Sequence, residues 1–300
     1  MDTIIQFMGN EANNKLYIKR EDLIPFSFGG NKARKARLFF EIIDRNRHDC
    51  VVTYGSGSSN HCRIVSNMAA VRGIRCIIVS PEEASENTFN SRLMELFGAE
   101  IVTVPVSQVH DTIERILESL KADNYNPYFI QGGGHGNIGT RAYVDCYEEI
   151  KNYEAENDVY FDYIFHASGT GTTQAGLICG QLIHEDKRKI VGISIARKNP
   201  RGRQVVIDSV YDFMGNADGI EEATVFVDSY IGEGYAKGDT HSTINNVLKK
   251  YGIPLDNIYT GKAFYGMREY IKENKISGEN ILFIHTGGTP LFFDCLLRGI

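Results

Sequence analysis

The chain has 300 residues, a formal net charge of −6, 42% hydrophobic and 23% charged residues, 30 glycines and no tryptophan. That is enough chain for one large α/β unit or two ordinary domains. The composition excludes a disordered segment or a collagen-like repeat, and no apolar run approaches the ~20 residues of a bilayer span.

The 32 Lys and Arg are scattered, which leaves no basic track for a nucleic-acid backbone. Residues 1–10 lack the basic-then-apolar layout of a secretion signal, so the cytoplasm is the expected address. Six cysteines (Cys50, Cys62, Cys76, Cys146, Cys179 and Cys295) form no CxxC pair. Such spacing fits reduced, buried thiols better than a zinc site or a disulfide framework, and no metal is expected.

In chain order, a strand is predicted at Leu16–Lys19 and a helix at Lys32–Asp44, then a strand at Val51–Tyr54 and a helix at Asn60–Val71. Strands at Arg75–Val79, Glu100–Val104 and Tyr128–Gln131 alternate with helices at Thr88–Phe97, Asp111–Leu120 and Gly139–Tyr153. Strands at Tyr163–His166, Ile190–Ile195 and Ile281–His285, with helices at Thr172–His184, Ser242–Tyr251 and Gly261–Glu273, complete the pattern. Strand–helix alternation of this kind is the signature of parallel α/β architecture. The charged stretch Lys151–Asp158 reads as a helix end and surface loop, and as a candidate domain crossing.

Four segments carry chemistry. In FGGNKARKARLFF, Phe28–Phe40, two glycines and an asparagine precede a helix that opens with Lys32. A cation is disfavoured at a helix N-terminus. That setting, like burial, depresses an amine's pKa toward the neutral form that Schiff-base chemistry needs. Read alone, Lys32, Arg34, Lys35 and Arg37 fit a solvated basic face better. In VVTYGSGSSNHCR, Val51–Arg63, a strand runs into a Gly/Ser turn and a helix, a setting for a carboxylate or phosphate. Ser58, Ser59 and Asn60 read equally well as helix caps, and a lone histidine such as His61 is more often structural.

The third segment, YIFHASGTGTTQAGLICG from Tyr163 to Gly180, is an apolar strand, a turn of Gly169, Thr170, Gly171, Thr172 and Thr173, and an apolar helix. This arrangement suits a phosphate. It lacks the Gly-Lys-Ser/Thr ending of a Walker loop and the G-x-G-x-x-G spacing of a dinucleotide site. The fourth, ILFIHTGGTPLFF from Ile281 to Phe293, puts Thr286, Gly287, Gly288 and Thr289 at the carboxyl end of a strand, where open α/β sheets bind ligands. Turn chemistry explains the same residues.

Together the segments resemble the pyridoxal-phosphate enzymes of the tryptophan-synthase β fold (fold type II), and within them the D-cysteine desulfhydrase and 1-aminocyclopropane-1-carboxylate deaminase family. The resemblance runs in unbroken order through YIKRED (17–22), GGNKARK (29–35), SNHCR (59–63), GGGHGNIG (132–139), SGTGTT (168–173), GEGYA (232–236), YTGKAFYGM (259–267) and HTGGTP (285–290). It implies two open parallel-sheet α/β domains with pyridoxal 5'-phosphate in the cleft between them. The larger domain would be 1–34 plus 143–300 and the smaller 35–142, with Lys32 at the junction.

The resemblance makes Lys32 the Schiff-base lysine that moves the α-proton. Asn60 would meet the ring hydroxyl, and Ser59, Asn60 and His61 the substrate. Gly169, Thr170, Gly171, Thr172 and Thr173 would cradle the phosphate, Thr286 would meet the pyridine nitrogen, and Tyr235 and Tyr259 would be the active-site tyrosines. A hydroxyl at that nitrogen leaves the ring a weaker electron sink, which suits β-elimination.

Deaminase members carry glutamine at the position of His61 and glutamate at that of Thr260, so both residues point to the desulfhydrase-like branch. Ser58 stands where the family usually has glutamine, and Gly134–His135–Gly136 replaces a more usual Gly–Ser. The expected activity is α,β-elimination on a small β-substituted amino acid, giving a 2-oxo acid and ammonia, by a homodimer. A β-replacement synthase, a ring-opening deaminase and a non-catalytic cofactor-binding regulator remain the alternatives.

Overall fold

The computed structural model describes residues 2–232 and 240–297. Among them are ten strands: β1 (Ile5–Glu11), β2 (Asn14–Arg20), β3 (Cys50–Tyr54), β4 (Arg75–Pro81), β5 (Glu100–Val104), β6 (Pro127–Ile130), β7 (Tyr163–Ser168), β8 (Lys189–Ser194), β9 (Val225–Val227) and β10 (Asn280–His285). The α-helices are α1 (Asn31–Arg45), α2 (Asn60–Arg72), α3 (Phe89–Leu96), α4 (Val109–Ala122), α5 (Asn137–Asn157), α6 (Thr172–Ile183), α7 (Arg201–Met214), α8 (Ile220–Ala223), α9 (His241–Tyr251), α10 (Thr260–Glu273) and α11 (Thr289–Leu297). None is long and apolar enough to cross a membrane.

The chain divides into two compact units, Met1–Asn31 with Gly139–Ile300, and Lys32–Ile138. The first is built on a six-stranded sheet in the order β1-β2-β10-β7-β8-β9. β1 runs antiparallel to β2, and every other pair is parallel. The central strands β10 and β7 are buried along all but their first residue, as strands covered on both faces are, and each carries a short apolar run, Ile281–Ile284 and Ile164–Phe165. Ile18, Phe165, Ile193, Phe264, Met267 and Phe283 form the middle of the core on one side.

The second unit carries a parallel four-stranded sheet, β5-β4-β3-β6. Its core includes Cys50 and Val52 of β3 and Ile77 and Val79 of β4, with Ile113 and Leu120 of α4 packed on them. Amphipathic spacing explains α4: Thr112, Ile113 and Leu120 are buried on one stripe of an otherwise exposed helix.

The structure departs from the sequence expectation at Lys151–Asp158, which is no loop: α5 continues to Asn157. The reason is Glu154, buried on α5, whose carboxylate takes both Arg188 Nη1 and Nη2 at 2.7 and 2.8 Å and the Phe161 N–H at 2.8 Å. The chain enters the first unit at Gly139, so this stretch is no domain crossing. β1, β9, α7, α8 and α11 are additional to the expected elements. β1 is an edge strand broken by a bulge between Phe7 and Gly9, and β9 is three residues long, so neither shows a full alternation.

Candidate active site

The second unit presents Lys32 and the α2 N-terminus. Lys32 lies in the first turn of α1, and its Nζ donates to the Gly133 carbonyl at 3.0 Å. Part of the side chain stays accessible, but burial around the amine lowers its pKa from 10.5 to about 8. An appreciable fraction is therefore the neutral nucleophile near physiological pH. Lys35, one turn on, is almost fully buried and is held well below the usual lysine range by burial and by Lys32.

Ser59 is the N-cap of α2, and its hydroxyl accepts the Cys62 N–H at 3.1 Å. Asn60 Oδ1 accepts from Asn90 Nδ2 at 3.0 Å and from Arg63 Nη2 at 3.5 Å. With the oxygen so engaged, the Nδ2 end of Asn60 is the one directed to donate elsewhere.

His61 is defined by two hydrogen bonds of Thr53. The Thr53 hydroxyl spends its single proton on the Ile130 carbonyl at 2.8 Å, so its 2.9 Å contact with His61 Nε2 requires His61 to donate. His61 is thus the Nε2–H tautomer, with Nδ1 an acceptor. Burial, followed by the nearby Lys32 and Lys35 charges, pushes its pKa from 6.5 down to about 3. It is neutral at any working pH.

The first unit presents a second cluster. The turn from Gly169 to Gly171 joins β7 to α6, and the helix starts on Gly171 at φ +97° with no side-chain cap. A helix N-terminus entered on a glycine and followed by the buried Thr172 and Thr173 is a setting that suits an anion. Arg197 Nη1 donates to the Thr170 carbonyl at 3.3 Å, placing a cation beside this turn. Asn31 ties the turn to the chain entering α1: its Nδ2 donates to Thr173 Oγ1 at 3.1 Å.

Thr286, 7% exposed, follows β10, and its carbonyl accepts the Asn31 N–H at 3.0 Å. Tyr259 is partly buried on the core just before α10. Tyr235 lies outside the described residues. Thr286, Asn31 and Gly169–Thr173 thus fall in one unit, and Lys32, Ser59, Asn60 and His61 in the other.

Sequence reasoning had assigned no role to Gly133, Thr53 or Asn31. Gly133 stood inside a quoted motif, and Asn31 immediately before the lysine. Thr53 had no signal beyond being a polar residue in an apolar strand.

A lysine amine lowered toward neutrality in one unit, and a glycine–threonine turn at a helix N-terminus in the other, are the residue types that a carbonyl-bearing, phosphorylated cofactor requires of its enzyme. The chain belongs to the pyridoxal-phosphate dependent enzymes, whose family model matches residues 5–287. It is similar to the D-cysteine desulfhydrase of Yersinia enterocolitica serotype O:8 / biotype 1B, with 31% identity over 307 residues, 98% of this chain and 91% of that one. A crystal structure of an ACC deaminase homologue superposes with a TM-score of 0.85 at 32% identity, covering 99% of this chain and 94% of the other. O-ureido-L-serine synthase shares the fold, with a TM-score of 0.70 at 16% identity over 99% and 94% of the two chains. The protein is a fold type II enzyme with pyridoxal phosphate as its cofactor.

Proposed function

We propose that this enzyme is a deaminating lyase of the D-cysteine desulfhydrase kind, acting on a small β-substituted amino acid. The observation that carries the reading is the pairing of a buried, neutral His61 with a lysine amine of pKa about 8 in the same unit. A neutral imidazole that is fixed as an acceptor orients a substrate donor without competing for the proton that Lys32 must move.

Pyridoxal phosphate, when bound, supplies the aldehyde that captures an amine and the electron sink for the substrate's α-carbon. Asn31, Gly169, Thr170, Gly171, Thr172 and Thr173 would hold its phosphate, Asn60 its ring hydroxyl and Thr286 its ring nitrogen. In the reading proposed, Lys32 Nζ takes the α-proton. Ser59, Asn60 and His61 hold the amino and carboxylate groups, so that the Cβ–S bond stands in line for cleavage. Tyr259, together with Tyr235, which lies outside the described residues, would be the active-site tyrosines. The bond's electron pair leaves on sulfur, and the released enamine adds water to give a 2-oxo acid and ammonia.

The homodimeric state and a cytoplasmic location belong to the same proposal; six buried cysteines that form no disulfide support a reducing compartment. The test is a screen of D- and L-amino acids for 2-oxo acid and sulfide release, with and without an added thiol. D-cysteine turnover without turnover of 1-aminocyclopropane-1-carboxylate supports the reading. A new thioether product in place of the 2-oxo acid would make the enzyme a β-replacement synthase instead.

A further inference from the structure

The 254–260 segment and the turn after β10 are joined through one carboxylate. Asp256 is fully buried, and its oxygens accept four hydrogen bonds. Oδ1 takes the N–H of Ile258 at 2.9 Å and of Tyr259 at 2.7 Å. Oδ2 takes the N–H of Thr260 at 3.1 Å and its hydroxyl at 2.7 Å. The hydroxyl in turn accepts the Asp256 N–H at 3.0 Å. An ordinary helix cap satisfies one or two N–H groups with one oxygen. Here both oxygens are used, and the charge is met by aligned donors and the α10 N-terminus.

The same carboxylate touches the other segment. Gly288 lies so close that a Cβ on it would run into Asp256 Oδ2. A second tie runs alongside: His285 Nε2 donates to the Pro254 carbonyl at 2.8 Å, and its Nδ1 accepts the Gly287 N–H at 3.1 Å. Tyr259 and Thr286 therefore hang from two segments stitched together at Asp256 and at His285.

We infer that Asp256 is a positioning residue for catalysis: it sets the backbone of Tyr259 and the Thr286–Gly288 turn in one arrangement, so that both present their side chains to the same bound cofactor and substrate. The inference rests on the roles proposed above for Tyr259 and Thr286. Asp256 itself touches neither cofactor nor substrate. Removing its charge alters where those groups stand, which changes substrate binding and the asymmetry around the cofactor before it changes proton transfer at Lys32.

The experiment compares Asp256→Asn, Thr260→Val and Thr260→Ser with the wild type, all reconstituted with pyridoxal phosphate. It reads the melting temperature, the visible circular dichroism of the bound cofactor, and KM and kcat separately. Asp256→Asn places an amide N–H against the Thr260 donors. It is expected to raise KM at least tenfold, with a smaller change in kcat, and to alter the cofactor's dichroism. Thr260→Val, which removes one of the four donors, is expected to move the same readouts about threefold, and Thr260→Ser to restore them.

A lowered melting temperature with wild-type dichroism and KM in both Asp256→Asn and Thr260→Val would make Asp256 merely structural and overturn the inference. If Asp256→Asn does not fold, the valine–serine pair decides. A wild-type protein without turnover would remove the proposed activity, yet the dichroism would still report on Asp256.

Discussion

Asn31 Nδ2 donates to Thr173 Oγ1 at 3.1 Å, while the backbone N–H of the same residue donates to the Thr286 carbonyl at 3.0 Å. One asparagine, the residue immediately before Lys32, thus connects the glycine–threonine turn and the end of β10. Asn31→Ala removes the side-chain tie and leaves the backbone tie. A lost hydrogen bond of this kind is worth about 1 kcal/mol, which corresponds to a roughly five- to tenfold weaker hold on the cofactor. A titration of the cofactor-free protein followed by absorbance measures it. Unchanged affinity would show that the tie does not order the 169–173 turn for a cofactor.

Lys32 makes a sharper prediction. Lys32→Ala is expected to lose both the yellow colour of the loaded protein and its turnover, since both need the Lys32 amine. The cofactor-free protein should respond in the opposite sense. A folded-state pKa of about 8 against 10.5 means that the unfolded chain binds the extra proton between those values, so stability rises as pH climbs through that window. Below it, the buried ammonium is a penalty on the order of 3 kcal/mol at most. Cofactor-free Lys32→Ala should therefore melt higher than wild type at pH 7, and the gap should shrink toward pH 10. A lower melting temperature at pH 7 would contradict the buried amine.

The strand–helix alternation was legible where a central strand carries a short apolar run of parallel-sheet length: Val51 and Val52 of β3, and Ile281 to Ile284 of β10, are buried on both faces. The edges were not. β1 carries a bulge, β9 is too short for a period, and the end of α5 looked solvent-borne because Glu154 shows its purpose only once Arg188 is beside it. The linear motifs singled out Lys32, Asn60, His61, Tyr259 and the 169–173 turn as candidates. The residues that hold two of these candidates, Thr53 against His61 and Asp256 against Tyr259, act through contacts that spacing along the chain does not reveal.

His61 couples pH to stability. Its folded pKa of about 3 lies below the ordinary 6.5, so between those values the unfolded chain holds a proton that the native protein refuses. Stability is full above about 6.5 and is lost as pH falls toward 3, by on the order of 3 kcal/mol at pH 4. His61→Gln should flatten that acid limb in denaturant melts taken from pH 7 to 4. Thr53→Val should instead lower stability at every pH, because it leaves the Nε2–H without its acceptor. Imidazole nitrogen shifts that keep the neutral Nε2–H form down to pH 5 are the direct check, and protonation near pH 6 would refute both the burial and the tautomer.

The helix that follows the glycine–threonine turn, α6, owes its place to close packing against α5. A Cβ on Gly176 would run into the Thr140 carbonyl and the Tyr143 side chain, and one turn later a Cβ on Gly180 would meet the Tyr147 ring. Helix propensity argues for alanine at both sites by up to about 1 kcal/mol each. Overpacking against backbone argues the other way by roughly 1–3 kcal/mol. At Gly176 the obstacle includes a carbonyl that cannot rotate away, so packing wins and Gly176→Ala is expected to destabilise the protein. At Gly180 the obstacle is the ring of Tyr147, whose hydroxyl is held by Asp186, so the ring has little freedom to yield and the loss should be similar. Urea melts of the two variants measure the balance. The Gly176→Ala protein should also release its cofactor more readily, because displacing α6 from α5 moves the 169–173 turn with it. A variant that gained stability and kept its cofactor would show that α6 is not seated on α5 in this way.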